Sequence, residues 1–185
     1  MNGTVVKTND ITWDIRLNMT NYKNKVTYLP EERKTMTMPD GTRGYSSGNY
    51  FYGEDIPLYT FYLKKYAGVN ENGEALYYIQ KKNEDGTYGE RETTTKYSDA
   101  TTYLCGTALP DVYGGFGTTF TYKGFDLSVD FTYQLGGQCY DGDYQSAMNS
   151  PTSQGKGNVM HADLLNAWSP ENPNSNITSF PVCRF

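Results

Sequence analysis

Residues 125–135 alternate strictly between apolar and polar side chains, and this constrains the fold more than any other stretch of the chain. The apolar members are Phe125, Leu127, Val129, Phe131, Tyr133 and Leu135. Successive side chains of a β-strand point to opposite faces, so the pattern predicts a strand with one wholly apolar face. A tilted strand of about 9–11 residues is long enough to cross a bilayer. A half-buried strand of a soluble sheet can show the same alternation, which leaves both environments open.

Two other segments complete a pattern of short turns and long connections. Residues 11–22 alternate in the same way, and residues 113–122 are joined to 125–135 by Lys123-Gly124. We predict strands at about 11–22, 113–122 and 125–135, with long loops at about 23–112 and 136–185. Short turns on one side and long loops on the other are typical of outer-membrane barrels. The predicted fold class is therefore all-β, with the strands forming part of a transmembrane antiparallel β-barrel.

The hairpin predicts which side chains of residues 113–122 face lipid and which face the barrel lumen. The lipid side would hold Phe116, Thr118, Phe120 and Tyr122. The lumen side would hold Gly115, Gly117, Thr119 and Thr121.

Charge and hydropathy argue against a nucleic-acid partner, a membrane helix and a secretory signal at residues 1–10. The 185 residues carry a formal net charge of -5, and a nucleic-acid partner would require clustered Lys and Arg. A membrane helix would require a run of about 18 apolar residues, and the sequence has none. Residues 1–10 also lack the basic start and apolar core of a secretory signal.

The chain shows no constellation typical of an enzyme or a metal site. His161 has no paired nucleophile, and Asp126 and Asp130 are expected to be wall residues of one strand face. Asp141-Gly142-Asp143 lacks the later ligands of a calcium loop and is interpreted as a turn. The cysteines, expected to be free thiols or to form one bridge, are Cys105, Cys139 and Cys183. We therefore predict no enzymatic activity, no cofactor and no metal.

Aromatic residues in the two long loops are the candidate contact residues for a ligand or a partner. They are Tyr50, Tyr52, Tyr140, Tyr144 and Trp168. Flat aromatic rings suit the apolar face of a sugar and also anchor protein interfaces. Packing among the loops, contact with a partner protein and direct contact with a ligand all remain open.

Four phrases, in order along the chain, resemble SusC/RagA-type TonB-dependent outer-membrane receptors. They are NYKNKVTYL, LYTFYLKKYAGVNENGEALYY, ALPDVYGGFGTTFTYKGFDLSVDFTYQLGG and AWSPENPNSNI. The resemblance is to the late portion of the barrel, so the chain is expected to be an internal piece or a truncated frame that lacks the plug domain.

The resemblance implies a barrel of about 22 strands with an internal plug. It also implies an outer-membrane location in Bacteroidetes-type bacteria and energy from the TonB–ExbB–ExbD complex, acting through the plug. A SusD-like surface lipoprotein would cap the barrel, and the imported ligands would be oligosaccharides or peptides. The alternative is a soluble, secreted β-sandwich that binds carbohydrate, in which a facing sheet would cover the apolar face of residues 125–135.

Overall fold

The computed structural model describes residues 1–148 and 160–179, which form β-strands, one short α-helix and several 3-10 turns. In chain order the strands are β1 (Asn2–Lys7), β2 (Ile11–Asn21), β3 (Met36–Thr37), β4 (Arg43–Ser47), β5 (Tyr50–Gly53), β6 (Thr60–Lys64), β7 (Tyr66–Val69), β8 (Ala75–Ile79), β9 (Glu92–Thr94), β10 (Thr102–Thr107), β11 (Val112–Tyr122) and β12 (Phe125–Leu135), and the helix α1 is Gly142–Ala147. No helix among these residues is long and apolar enough to cross a membrane.

The long strands form one antiparallel sheet in the order β1-β2-β11-β12, which we call the wall sheet. Strands β2 and β11 pair along their whole length, from Ile11 opposite Tyr122 to Asn21 opposite Val112. Strands β11 and β12 form a hairpin whose turn residues, Lys123 and Gly124, have φ angles of 45° and 90°. Positive φ angles at both central residues are typical of a type I′ turn, whose twist matches that of the paired strands.

Strand β1 was not predicted from the sequence. Its residues do not alternate cleanly, and its register with β2 shifts between Thr4 and Val6, as at a β-bulge. A bulge adds a residue and moves the alternation out of phase, which hides the strand from a periodicity test. The turn that follows is held by the Thr8 amide, which donates to the Ile11 carbonyl at 2.7 Å.

One face of the wall sheet is apolar across β2, β11 and β12. The register aligns Leu17, Phe116 and Phe131 in one row, with the two phenylalanine rings stacked 4.8 Å apart. Near the ends of the strands, Met19 is 69% exposed and Phe125 is 80% exposed. No large apolar side chain of this face is buried by the rest of the described chain.

The opposite face carries a polar network across the same strands. The Arg16 guanidinium reaches over Gly117 to the Asp130 carboxylate at 2.8 Å and donates to the Thr119 hydroxyl at 3.1 Å. A Cβ atom at Gly117 would lie 2.0 Å from the Asp130 Oδ1 atom. Glycine is therefore required there for the ion pair to close over the middle strand.

Residues 22–111, which we call the excursion, connect β2 to β11 and form two further sheets. One has five strands in the order β10-β6-β5-β4-β3, and the other has three in the order β7-β8-β9. The segment treated as a long loop from the sequence therefore contains β3 to β10. These strands have two to six residues each, too few for alternation to separate them from loop.

The hydrophobic core lies in the excursion. The buried apolar residues of the described chain are Leu29, Met38, Phe51, Phe61, Ala100 and Tyr103. Phe51 is fully buried, and its ring fits between Gly44 and Gly53. A Cβ atom on either glycine would come within 2.7 Å of the Phe51 ring. The excursion is thus a packed unit attached to one end of the wall sheet.

Candidate ligand and partner contact site

Tyr50 and Tyr52, two of the candidate contact residues, lie in β5 and are half-buried. The Tyr50 ring packs 5.0 Å from Phe61 and 5.7 Å from Tyr59. The Tyr52 ring stacks on Tyr45 at 5.2 Å, and burial is the main cause that raises the pKa of Tyr52. Both side chains therefore pack within the excursion.

Tyr144 is positioned by the helix α1 and by the segment that follows residue 160. Asp141 caps the helix by accepting from the Tyr144 amide at 2.8 Å, so Asp141-Gly142-Asp143 forms a helix start rather than a simple turn. The Tyr144 hydroxyl donates to the Asp163 carboxylate at 3.0 Å, and its ring packs edge-on against His161 at 4.8 Å. The hydrogen bond to Asp163 raises the pKa of Tyr144.

Tyr140 lies beside the same helix and lines a pocket of about 110 Å³ with Phe61, Cys105 and Cys139. Its hydroxyl donates to the Gln145 side chain. Both of these cysteines are free thiols, and Cys183 lies outside the described residues.

Trp168 holds the segment 160–179 against the β7–β8 hairpin. Its amide donates to the Ile177 carbonyl at 2.8 Å. Its ring lies so close to Gly73 that a Cβ atom there would be 2.6 Å away. The Ser179 amide also donates to the Gly73 carbonyl at 2.8 Å. Trp168 thus anchors this segment on the excursion.

Tyr144 also lines a cleft of about 560 Å³, which we call the tyrosine cleft. The lining also includes Tyr66 and Tyr77, whose rings lie edge-to-face at 5.9 Å. Leu164 and Ile177 add apolar surface to it. The Tyr66 hydroxyl donates to the Asn176 carbonyl at 2.8 Å, and burial raises the pKa of both Tyr66 and Tyr77.

The sequence selected Tyr144 as a contact residue but not Tyr66 or Tyr77. Both lie in the tyrosine-rich stretch of residues 58–78. The sequence shows that this stretch has many tyrosines, but it does not show that two of them line the same cleft. Aromatic walls with a few polar groups suit the stacking of a flat ligand. Among the residues described, no group of three His, Cys, Asp or Glu side chains is placed to hold a metal.

The wall sheet and the excursion together define a class of protein. The sheet has strands of bilayer length, an uncovered apolar face and a polar face, and it carries a folded unit at one end. This is the architecture of part of an outer-membrane β-barrel wall with an extracellular domain.

Known proteins with the same arrangement are TonB-dependent receptors. The chain is 25% identical to TonB-dependent receptor P3 of Formosa agariphila over 188 residues and 25% identical to TonB-dependent receptor P26 of the same organism over 181 residues. Each match covers 96% of this chain and 18% of the relative, so the chain spans less than a fifth of their length. No family model matches the chain.

Two solved structures show the same fold. The RagAB peptide transporter superposes with a TM-score of 0.70 at 23% identity, and the RagAB peptide importer in its closed-closed state with 0.65 at 24%. Each covers 97% of this chain and 19% of the matched chain. The expected resemblance to SusC/RagA-type TonB-dependent receptors is confirmed, with its partial-barrel fold class and outer-membrane location. The relatives are receptors rather than enzymes, as expected.

Proposed function

We propose that the chain is a late barrel portion of a SusC-like TonB-dependent transporter that imports oligosaccharides or peptides together with a SusD-like surface lipoprotein. The apolar face of the wall sheet carries the proposal. Its side chains are aligned across three strands of eleven residues and remain uncovered, including Leu127 at 62% exposure. A lipid environment stabilises such an apolar face, because in water the face would have to be covered by a second protein layer.

In this transporter the polar face, with Arg16 and Asp130, lines the lumen. The excursion stands at the outer mouth, where the tyrosine cleft offers aromatic surface to a ligand or to the lipoprotein. The TonB–ExbB–ExbD complex supplies energy through the plug region of the receptor, outside the residues of this chain. The structurally similar RagAB is a peptide transporter, which supports the peptide alternative.

The soluble β-sandwich that binds carbohydrate is the second candidate. It requires a sheet packed on the apolar face of β12, and neither sheet of the excursion covers that face among the described residues. Aromatic clefts would suit a carbohydrate-binding module equally well. Only the wall sheet therefore distinguishes the transporter from the soluble module.

The test is uptake by cells that lack the complete receptor containing this chain. We expect the deletion to abolish growth on one class of ligand, either oligosaccharides or peptides, supplied as the limiting nutrient. Restoring the receptor should restore growth, and removing TonB should abolish it again. Growth on both classes that is unaffected by the deletion would contradict the proposal.

A further inference from the structure

A second cleft, of about 320 Å³, shares no lining residue with the tyrosine cleft, and we call it the Arg91 cleft. Its lining includes the charged residues Asp40, Lys65 and Arg91 and the apolar residues Met38 and Leu104. The floor includes Tyr103, a core residue that is 8% exposed.

Two cations face the ring of Tyr103 without an acidic partner. The Lys65 ammonium lies 5.6 Å from the ring centre and the Arg91 guanidinium 5.1 Å from it. Arg91 also lies 5.3 Å from the ring centre of Tyr78. Neither cation makes an ion pair with any described residue.

The carboxylate in the cleft does not neutralise these cations. Asp40 is exposed, and its Oδ1 atom accepts from the Thr42 amide at 2.9 Å within its own turn. The side chains of the cleft therefore carry one more positive than negative charge. A singly charged anion would complete the balance.

The hydroxyl of Tyr103 is a second, independent feature of the cleft that points to ligand binding. It is buried and has no hydrogen-bond partner among the described residues. Buried polar groups in proteins nearly always have partners, and an exception calls for an explanation. A tyrosine hydroxyl is a neutral donor, which suits a carboxylate oxygen.

We propose that the Arg91 cleft binds a carboxylate group of the imported ligand, and this inference rests on the function proposed above. Arg91 and Lys65 supply the positive charge, because a guanidinium fork matches the two oxygens of a carboxylate. Arg91 is exposed and its side chain makes no hydrogen bond to the described residues, so it can turn toward the anion and open a path to the Tyr103 hydroxyl. Met38 and Leu104 contact the carbon skeleton next to the carboxylate.

The carboxylate could belong to a uronic acid or to a peptide, and matched ligand pairs distinguish them. The complete receptor, purified in detergent, is titrated with oligogalacturonate and with a neutral oligosaccharide of equal length. It is also titrated with a short peptide bearing a free C-terminal carboxylate and with the same peptide amidated. We expect the charged member of one pair to bind about tenfold more tightly or better, a difference typical of one charge-assisted contact. Equal affinities within both pairs would overturn the proposal.

Charge-removing variants locate the effect in the cleft. Arg91→Gln and Lys65→Gln should each weaken the charged ligand about tenfold and leave the uncharged ligand unchanged. Lys82→Gln removes the same charge from the connection between β8 and β9, outside the cleft. It should change the affinity for neither the charged nor the uncharged ligand. An equal loss in Lys82→Gln would indicate general attraction and would overturn the assignment to this cleft.

Tyr103→Phe separates ligand binding from packing. Because the hydroxyl has no partner, its removal should leave the unfolding temperature of the unliganded receptor unchanged or higher. The same change should weaken the charged ligand several-fold. A lower unfolding temperature with unchanged affinity would mean that Tyr103 only packs.

The two proposals fail in different ways. Selective binding of a carboxylate by purified receptor, without TonB-dependent uptake in cells, would overturn the transport function and leave the cleft standing. Uptake without selectivity for a carboxylate would overturn only the cleft.

Discussion

Gly114 sets the distance between β2 and β11 at one point of the wall sheet. A Cβ atom there would lie 2.2 Å from the Asn18 carbonyl oxygen, which is backbone and cannot swing away. The Tyr133 side chain covers the space, and its hydroxyl donates to the same carbonyl at 3.1 Å. A cross-strand aromatic ring over a glycine is a known way to stabilise a sheet position that lacks a side chain.

Gly114→Ala is therefore expected to destabilise the wall sheet by about 1–3 kcal/mol, since an inserted methyl group must displace backbone. The measurement is the temperature at which the folded receptor loses its compact form on an electrophoresis gel. Gly3→Ala in β1 is the control, because a Cβ atom at Gly3 meets nothing within 4 Å. Equal loss in both variants would show that the close contact with Asn18 is unimportant.

Glu54 ties the end of β5 to the segment that enters the excursion. Its carboxylate accepts from the Leu29 amide at 2.8 Å and lies 3.2 Å from the Lys34 ammonium. The bond from Leu29, followed by Lys34, lowers the pKa of Glu54 from 4.5. A lowered pKa means that this stabilisation is present above pH 4.5 and is lost as the pH falls through the lowered value.

We expect the hydrogen-exchange protection of the Leu29 amide to fall on acidification below about pH 4.5, because protonated Glu54 accepts more weakly. Glu54→Gln should remove most of this pH dependence. Glu32→Gln, at an exposed residue nearby, is the matched control and should keep it. Protection in the wild-type receptor that does not change between pH 6 and pH 3 would contradict the prediction.

At the scale of elements, β12 shows what a sequence can predict. Six apolar and five polar side chains in strict alternation fix the strand and its two faces. The structure places its apolar residues opposite those of β11 in unbroken register. Short strands such as β4 and β5 could not be predicted in this way, because tertiary packing around Phe51 decides their conformation.

Phe131→Arg tests whether the apolar face of β12 meets lipid. A cation near the middle of a lipid-facing strand costs about 2–4 kcal/mol, so the variant should assemble poorly in the outer membrane. Thr132→Arg adds the same charge on the polar face and should be tolerated. The readout is the amount of folded receptor in isolated outer membranes, and equal amounts of the two variants would contradict a lipid-facing side.

At the scale of the whole molecule, the excursion is attached to the end of β2 and β11 that lies opposite the Lys123-Gly124 turn. Eleven residues at about 3.4 Å each, tilted as in barrels, span the hydrocarbon core of about 30 Å or slightly less. If the wall sheet spans the outer membrane as proposed, the turn at Lys123 and the excursion lie on opposite sides of it. The tyrosine cleft could not be derived from the sequence, because Tyr66 and Tyr144 are far apart in the chain and line one cleft only after folding.

This arrangement predicts opposite labelling of two engineered cysteines in a receptor whose native cysteines are replaced by serine. Ser98→Cys, in the excursion, should react with a membrane-impermeant maleimide on intact cells. Lys123→Cys should react only after the outer membrane is permeabilised. Labelling of both residues on intact cells would place the turn and the excursion on the same side.

The pairing of β2 with β11 also has a kinetic consequence. Asn21 and Asp111 touch although they are 90 residues apart in the chain, and closing so long a flexible loop is entropically costly and slow. Contacts within the excursion reduce this entropic cost, because β6 pairs with β10 and the Val26 amide donates to the Ile56 carbonyl at 3.0 Å. Once the excursion has folded, its first and last residues lie close together. The strands of the wall sheet can then pair as if they were joined by a short connection, so we expect the excursion to fold before the wall sheet forms.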